Sequence, residues 1–166
     1  MPEYKVNLSV KEIEGLIKEI KKYREKVSKS APNIVNKLTK EAEKKIETNL
    51  LSVTNPDGNT DASVGSYQFG NTGFAYLSGS QSAYIEFGTG VTGNNSPHPL
   101  ATENGWNYAS GEKIFTTKNG KTGWIYKDSL SGKWMFTEGI AAQKPVYNAA
   151  QELRNEILNV AREEMK

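Results

Sequence analysis

The sequence predicts an α+β fold, in which an antiparallel sheet is packed by a C-terminal helix and accompanied by two N-terminal amphipathic helices. Apolar residues recur at helical spacing near both ends of the 166-residue chain, and short runs of β-type composition fill its middle. A stretch of Pro, Gly, Asn and Asp over 54–62 separates the first helical section from the β section. The expected layout is one domain over 1–166, with helices in 1–53, a sheet in 63–137 containing a long loop at 89–112, and a helix in 143–164.

Ser9 followed by Glu12 is a capping-box signature, and Val10, Ile13, Leu16, Ile17, Ile20, Tyr23 and Val27 follow at helical spacing. The pattern is expected to break at Ser28-Lys29-Ser30-Ala31-Pro32, where serines and a proline suit the start of a new helix. Ile34, Val35, Leu38, Ala42, Ile46 and Leu50 then form a second stripe. Lys37, Lys40, Glu43, Lys44 and Glu47 lie mostly off it, toward water or a neighbouring subunit.

Residues 63–69, 74–78 and 83–88 read as an antiparallel meander, separated by Gly70-Asn71-Thr72-Gly73 and Gly79-Ser80-Gln81-Ser82. In the third run Tyr84, Glu86 and Gly88 alternate with Ile85 and Phe87, which predicts one buried and one wetter face. Gly88 and Gly90 admit positive φ and end the run sharply. Further strands are expected at 113–117, 122–127 and 133–137, with Lys118-Asn119-Gly120-Lys121 as a hairpin turn. Gly139 serves a turn, and Pro145 suits the first turn of the last helix, where a missing N–H costs nothing. That helix carries Val146, Ala149, Ala150, Leu153, Ile157, Val160 and Ala161 as its stripe. The segment 89–112 is longer than ordinary loops and rich in Gly, Asn, Ser and Pro, which suggests an arm that orders on assembly.

Hydrophobic residues make up 36% of the chain, and mean hydropathy is −0.63. Such polarity fits a surface-rich fold or a core shared between subunits. No apolar run approaches the ~20 residues that span a bilayer, and Met1-Pro2-Glu3-Tyr4-Lys5 does not open a signal peptide, so a cytoplasmic protein with no membrane partner is expected. Without cysteine there is no disulfide framework, and a single histidine argues against zinc or iron. Asp57 and Asp61 lack the ligand spacing of a calcium loop and read as a turn. No metal or cofactor is therefore expected. Net charge is +2, with 12 basic and 8 acidic residues in 1–50 against 9 and 11 in the remainder. Lys and Glu are interspersed, which marks a solvated helix face rather than a nucleic-acid footprint.

Glu86 and Glu138 imitate the paired carboxylates of a glycosidase, but each sits in a glycine-bounded segment with a structural explanation. His98, between Pro97 and Pro99, reads as an exposed loop residue with no triad around it. Trp106, Tyr108, Phe115, Trp124, Tyr126, Trp134 and Phe136 concentrate in the second β section. They are read first as a buried hairpin core, in which each cross-strand aromatic pair adds ~0.2–1 kcal/mol. A stacking platform for sugar or single-stranded nucleic acid and a subunit interface are the alternatives.

One ordered series carries more specificity than any single element. An aromatic run closes in Glu86-Phe87-Gly88-Thr89-Gly90 and is followed by Ser96-Pro97-His98-Pro99, then Gly123-Trp124-Ile125-Tyr126. A Phe136-Thr137-Glu138-Gly139 turn then precedes a helix opening near Pro145. Over about residues 67–161 this order resembles the neck and tail-completion family of long-tailed bacteriophages and phage tail-like particles. The chain differs from that pattern at Glu138, where the family often has a basic residue, and at Val146, where it often has a bulky aromatic.

The resemblance implies a structural, non-enzymatic virion subunit at the head-tail junction or tail end, assembled in the host cytoplasm into a homo-oligomeric ring that joins connector or stopper to tail tube. DNA would pass nearby without being read in sequence. The subunit-interface candidates it implies are Tyr84, Glu86, Phe87, Gly88, Thr89, Gly90, Pro97, His98, Trp106, Glu138, Gly139 and Pro145. A carbohydrate-binding module or small cell-wall hydrolase using the aromatic cluster is the alternative, and a helical nucleic-acid binder is a third reading.

Overall fold

The computed structural model describes residues 9–53, 61–128 and 131–165. The N-terminal pentapeptide and most of the expected turn around Asp57 lie outside them. Helix α1 runs unbroken through Val10–Leu51. Ser9 caps it as its signature predicts, accepting the Glu12 N–H while its hydroxyl donates to the Glu12 carboxylate at 3.0 Å. The expected division into two helices does not occur, and Pro32 stands inside α1. A proline removes one N–H and crowds the preceding turn at a cost of about 3 kcal/mol. Two other factors outweigh it. The apolar stripe keeps its phase through Val27, Ala31, Ile34 and Leu38, and packing onto the rest of the chain begins at the same point.

That packing comes from two sides. Strands β1 (Ser63–Phe69) and β2 (Thr72–Ser78) form an antiparallel hairpin in which Tyr67 faces Phe74 and Gly65 faces Tyr76. One face of the hairpin lies on α1. There the Ser66 hydroxyl donates to Glu43 at 2.7 Å, and the Gln68 amide donates to the Pro32 carbonyl at 3.1 Å. A side chain at Gly73 would overlap Thr39, so the bare backbone allows this close approach. Helix α4 (Pro145–Glu164) runs antiparallel along the other side of α1. Asn49 donates to the Pro145 carbonyl, Lys45 pairs with Glu152 and Glu156, Lys37 pairs with Glu163, and Ser30 meets the Glu164 carbonyl. Hydrogen bonds to Glu156 and Glu163, respectively, hold the Lys45 and Lys37 ammonium groups above their ordinary pKa.

Between β2 and α4 lie two short helices and a second sheet. The run expected as a third strand is instead helix α2 (Ser82–Phe87), followed by α3 (Gly90–Asn95). Alternation over so few residues does not exclude a helical turn, and Ile85 and Glu86 are both buried, as neighbours on a helix can be but strand neighbours facing one sheet cannot. Asp61 accepts the Ser80 and Gln81 N–H groups just before α2, and the Ser80 bond is the main reason its carboxyl lies below the usual range. Strands β3 (Phe115–Thr116), β4 (Thr122–Lys127) and β5 (Trp134–Thr137) form an antiparallel sheet separate from β1 and β2. The single sheet expected over 63–137 is thus two small ones, although the Lys118–Lys121 hairpin connection forms as expected.

The interior is small. Among the described residues its buried apolar side chains are Ile46, Ile85, Ala101, Trp124, Ala142, Pro145, Ala149 and Val160. The accessible surface is 11622 Å², against roughly 8,000 Å² for a compact monomer of this mass. Large apolar side chains are among the exposed residues. Past the end of α4 no residue of α1 from Val10 to Lys29 is buried, and Tyr67, Phe69, Phe74 and Tyr76 project from the outer face of the hairpin. Among the described residues no helix is long and apolar enough to cross a membrane.

Candidate functional site

The two segments that carry the family resemblance meet in space. Helix α2 ends at Gly88, whose φ of +78° needs glycine, and the chain then lies antiparallel to β6 (Gly139–Ile140), bridging Thr89 to Ile140 and Gly90 to Gly139. Each glycine marks a close crossing of backbones. A Cβ at Gly88 would stand 2.7 Å from the Ala142 nitrogen, one at Gly90 would strike Trp124, and one at Gly139 would overlap the Thr89 carbonyl. The Gln143 N–H donates to the Ile85 carbonyl at 2.9 Å, continuing the contact toward α4.

Glu86 closes this joint. Lys144, the residue before α4, adopts a left-handed conformation and offers no side-chain cap. The carboxylate of Glu86 takes that role across 60 residues of sequence, accepting the Val146 and Tyr147 N–H groups at 2.9 Å each. A negative charge at a helix N-terminus also meets the positive end of the helix dipole. Glu86 Oε1 lies 3.1 Å from His98 Nε2, while His98 Nδ1 faces the Leu100 N–H at 3.0 Å. Nδ1 is therefore the acceptor, and Nε2 carries the proton donated to Glu86. The imidazole is enclosed by the Phe87 ring at 4.5 Å and the Tyr147 ring at 5.2 Å, and its backbone N–H donates to the Tyr108 hydroxyl.

His98 is consequently 3% exposed, contrary to the exposed loop residue expected from its flanking prolines. The rest of 89–112 is no extended arm. Ala101 is buried, the Trp106 indole donates to the Gly88 carbonyl at 2.9 Å, and its ring stacks on Phe87 and meets Tyr84 edge-on. Of the expected interface residues, Glu86, Gly88, Thr89, His98 and Pro145 are buried within the chain. They build the joint. Tyr84, Phe87, Gly90, Trp106, Glu138 and Gly139 are half-buried and Pro97 is exposed. Glu138 pairs with Lys121 at 3.2 Å, so neither carboxylate of the imagined glycosidase pair is without a partner.

The aromatic cluster also divides. The β4–β5 register sets Trp124 opposite Thr137 and Phe136 opposite Ile125. Trp124 and Tyr126 therefore face inward, while Trp134, Phe136 and Phe115 share the outer face, Trp134 being 69% exposed. Of the expected buried aromatic core only Trp124 is fully buried; Trp106, Tyr108, Tyr126 and Phe136 are half-buried, and Phe115 and Trp134 are exposed. Two concavities flank the joint. One of about 370 Å³ is lined by Tyr84, Trp124, Tyr126, Gln81 and Glu112 among others. The second, an open groove of about 730 Å³ between β2 and α4, has Tyr76, Phe87, Leu100, Tyr147 and Arg154 on its walls.

The cap supplied by Glu86 was not anticipated from sequence. Its available signal was an absence: a helix opening at Pro145 preceded by Lys rather than Ser, Thr, Asp or Asn, so that its first N–H groups need a distant acceptor. No protein-family model, no curated protein and no solved structure matches this chain.

Proposed function

We propose that this chain is a structural, non-enzymatic subunit of the head-tail junction or tail end of a long-tailed phage or tail-like particle, working by assembly into a ring between connector and tail tube. The observation that carries this reading is the imbalance between a small interior and a large exposed apolar surface on α1 and the β1–β2 hairpin. Exposed apolar surface on this scale marks contact with other protein. The resemblance of the Glu86–Gly90 and Phe136–Pro145 segments supplies the kind of assembly, and their union in one interlocked joint gives both segments a common structural purpose. Symmetry would then multiply weak single contacts around a closed ring.

Light scattering on the purified protein, alone and mixed with tail-tube or connector protein of the same particle, tests the proposal. A discrete ring in either condition is expected, and a chain that assembles with neither partner overturns it.

The 370 Å³ pocket favours a second reading, since Tyr84, Trp124 and Tyr126 beside Gln81 and Glu112 combine aromatic walls with polar groups as sugar sites do. With Trp124 only 8% exposed, little ring face is open to stack. Tryptophan fluorescence unchanged by cell-wall oligosaccharides is the outcome expected if the ring reading is right.

A further inference from the structure

The overhanging half of α1 presents a specific seam. Val10, Ile13, Ile17, Ile20, Arg24 and Val27 are spaced by alternating steps of three and four, which is the a/d repeat of a coiled coil. The five apolar members of this seam are all exposed, from 37% at Val27 to 74% at Val10. Leu16 and Tyr23 widen it on one flank, while Glu14 and Lys21 occupy the other, each directly following a d residue. Gly15, which lowers helix propensity by about 1 kcal/mol relative to Ala, falls on the side away from the seam, with nothing near it. A helical segment of this length is marginal by itself in water, so an apolar seam held out from the body calls for a partner.

We propose that this seam pairs antiparallel with the same seam of a second copy of the chain. Three features select both occupant and direction. Antiparallel alignment sets Val10 opposite Val27 of the partner, Ile13 opposite Arg24 and Ile17 opposite Ile20, so that every seam residue is used over about 27 Å. It also sets Glu14 of each helix beside Lys21 of the other, giving two reciprocal opposite-charge pairs, and stacks Leu16 against Tyr23. Parallel alignment would instead set Arg24 against Arg24 within the seam and leave Glu14 and Lys21 facing apolar or uncharged positions. The length also fits. Full overlap brings one helix's Ser9 cap to the level of Ser28 of the other, just short of where α4 ends against Ser30. The contact is two-fold and isologous; it takes up the α1 part of the exposed apolar surface, leaves the outer face of the β1–β2 hairpin for any head-to-tail contacts of a ring, and stands whether or not the chain serves in a phage tail.

The chain has no cysteine, which allows a clean cross-linking test on the whole 166-residue chain. Ile13→Cys and Arg24→Cys chains are prepared separately, checked for unchanged circular dichroism, and oxidised alone and mixed. Disulfide-linked dimer is expected only in the mixture, because Ile13 faces Arg24 and not its own counterpart. Cross-linking of either variant alone, or of neither condition at concentrations where sedimentation shows wild-type dimer, overturns the antiparallel seam, as does a wild-type chain that stays monomeric at high concentration. Charge exchange gives an independent reading. Lys21→Glu should weaken the dimer on the order of tenfold by placing two Glu–Glu pairs across it, and Glu14→Lys added to Lys21→Glu should restore most of the loss. A dimer indifferent to both substitutions also overturns the proposal.

Discussion

The joint around Glu86 and the overhang of α1 meet the same physical demands in opposite ways. In the joint, short helices, turns and a helix terminus without a local cap are brought together, and they complete one another's hydrogen bonds within the chain: Glu86 serves α4, His98 serves Glu86, and Tyr108 serves both His98 and Gly90. In the overhang the backbone is satisfied by the helix itself, while the apolar side chains remain in water. The contrast separates what makes this chain fold from what is left to make it associate.

The sharpest way to break the joint is Gly139→Val. Its Cβ would overlap the Thr89 carbonyl, and a β-branched residue at φ +99° is strained wherever it sits. A loss of at least ~3 kcal/mol is expected, read as a large fall in urea midpoint or failure to fold. A midpoint near wild type would mean that the two backbones do not cross there. Glu86→Gln comes next. It keeps the shape but removes the charge and turns one acceptor into a donor facing N–H groups, with about 2 kcal/mol or more expected from denaturation. Hydrogen exchange should quicken first at Val146 and Tyr147, and unchanged protection at those amides would show that the carboxylate is not the cap.

Smaller effects belong to the exposed seam between α1 and α4. Because its partners raise the Lys45 pKa in the folded chain, that contribution is fully present below the ordinary value of 10.5 and fades as pH rises through the elevated one. Lys45→Ala should therefore reduce stability at neutral pH, by no more than about 1 kcal/mol for such a pair, and the difference from wild type should close above pH 10.5. A gap that persists in strong alkali would point to the lysine's methylenes instead. At the foot of the scale, Ile20→Ser in the overhang should change the unfolding free energy of dilute monomer by less than about 0.5 kcal/mol while weakening self-association. A large loss in the dilute chain would show that the overhang belongs to the core after all.

Legibility in the sequence followed the range of the interaction. The Ser9 cap, the Pro145 start and the Lys118–Lys121 hairpin rest on neighbours within a few residues, and all three form as their chemistry predicts. The helical turn at Ile85 and the burial of His98 do not. Alternating Tyr84, Ile85, Glu86 and Phe87 satisfy a strand pattern and a helical turn alike, and the choice falls to α4, whose uncapped N-terminus needs the Glu86 carboxylate. Pro32 is the reverse case. A strong local signal for a helix start was overruled because α4 and the β1–β2 hairpin grip α1 from Ser30 and Pro32 onward.

The sequence by itself determined the α+β class, the helical character of both ends, the hairpins within 63–78 and 115–137, and the positive-φ glycines at Gly88, Gly90 and Gly139, because those depend on periodicity and on φ values that one residue permits or forbids. Only the tertiary structure decided that one helix replaces two, that the strands divide into two sheets, and that Glu86, His98 and the glycines interlock within the chain. Each of these turns on a group whose partner is tens of residues away, where pattern carries no information and only the folded geometry brings donor to acceptor.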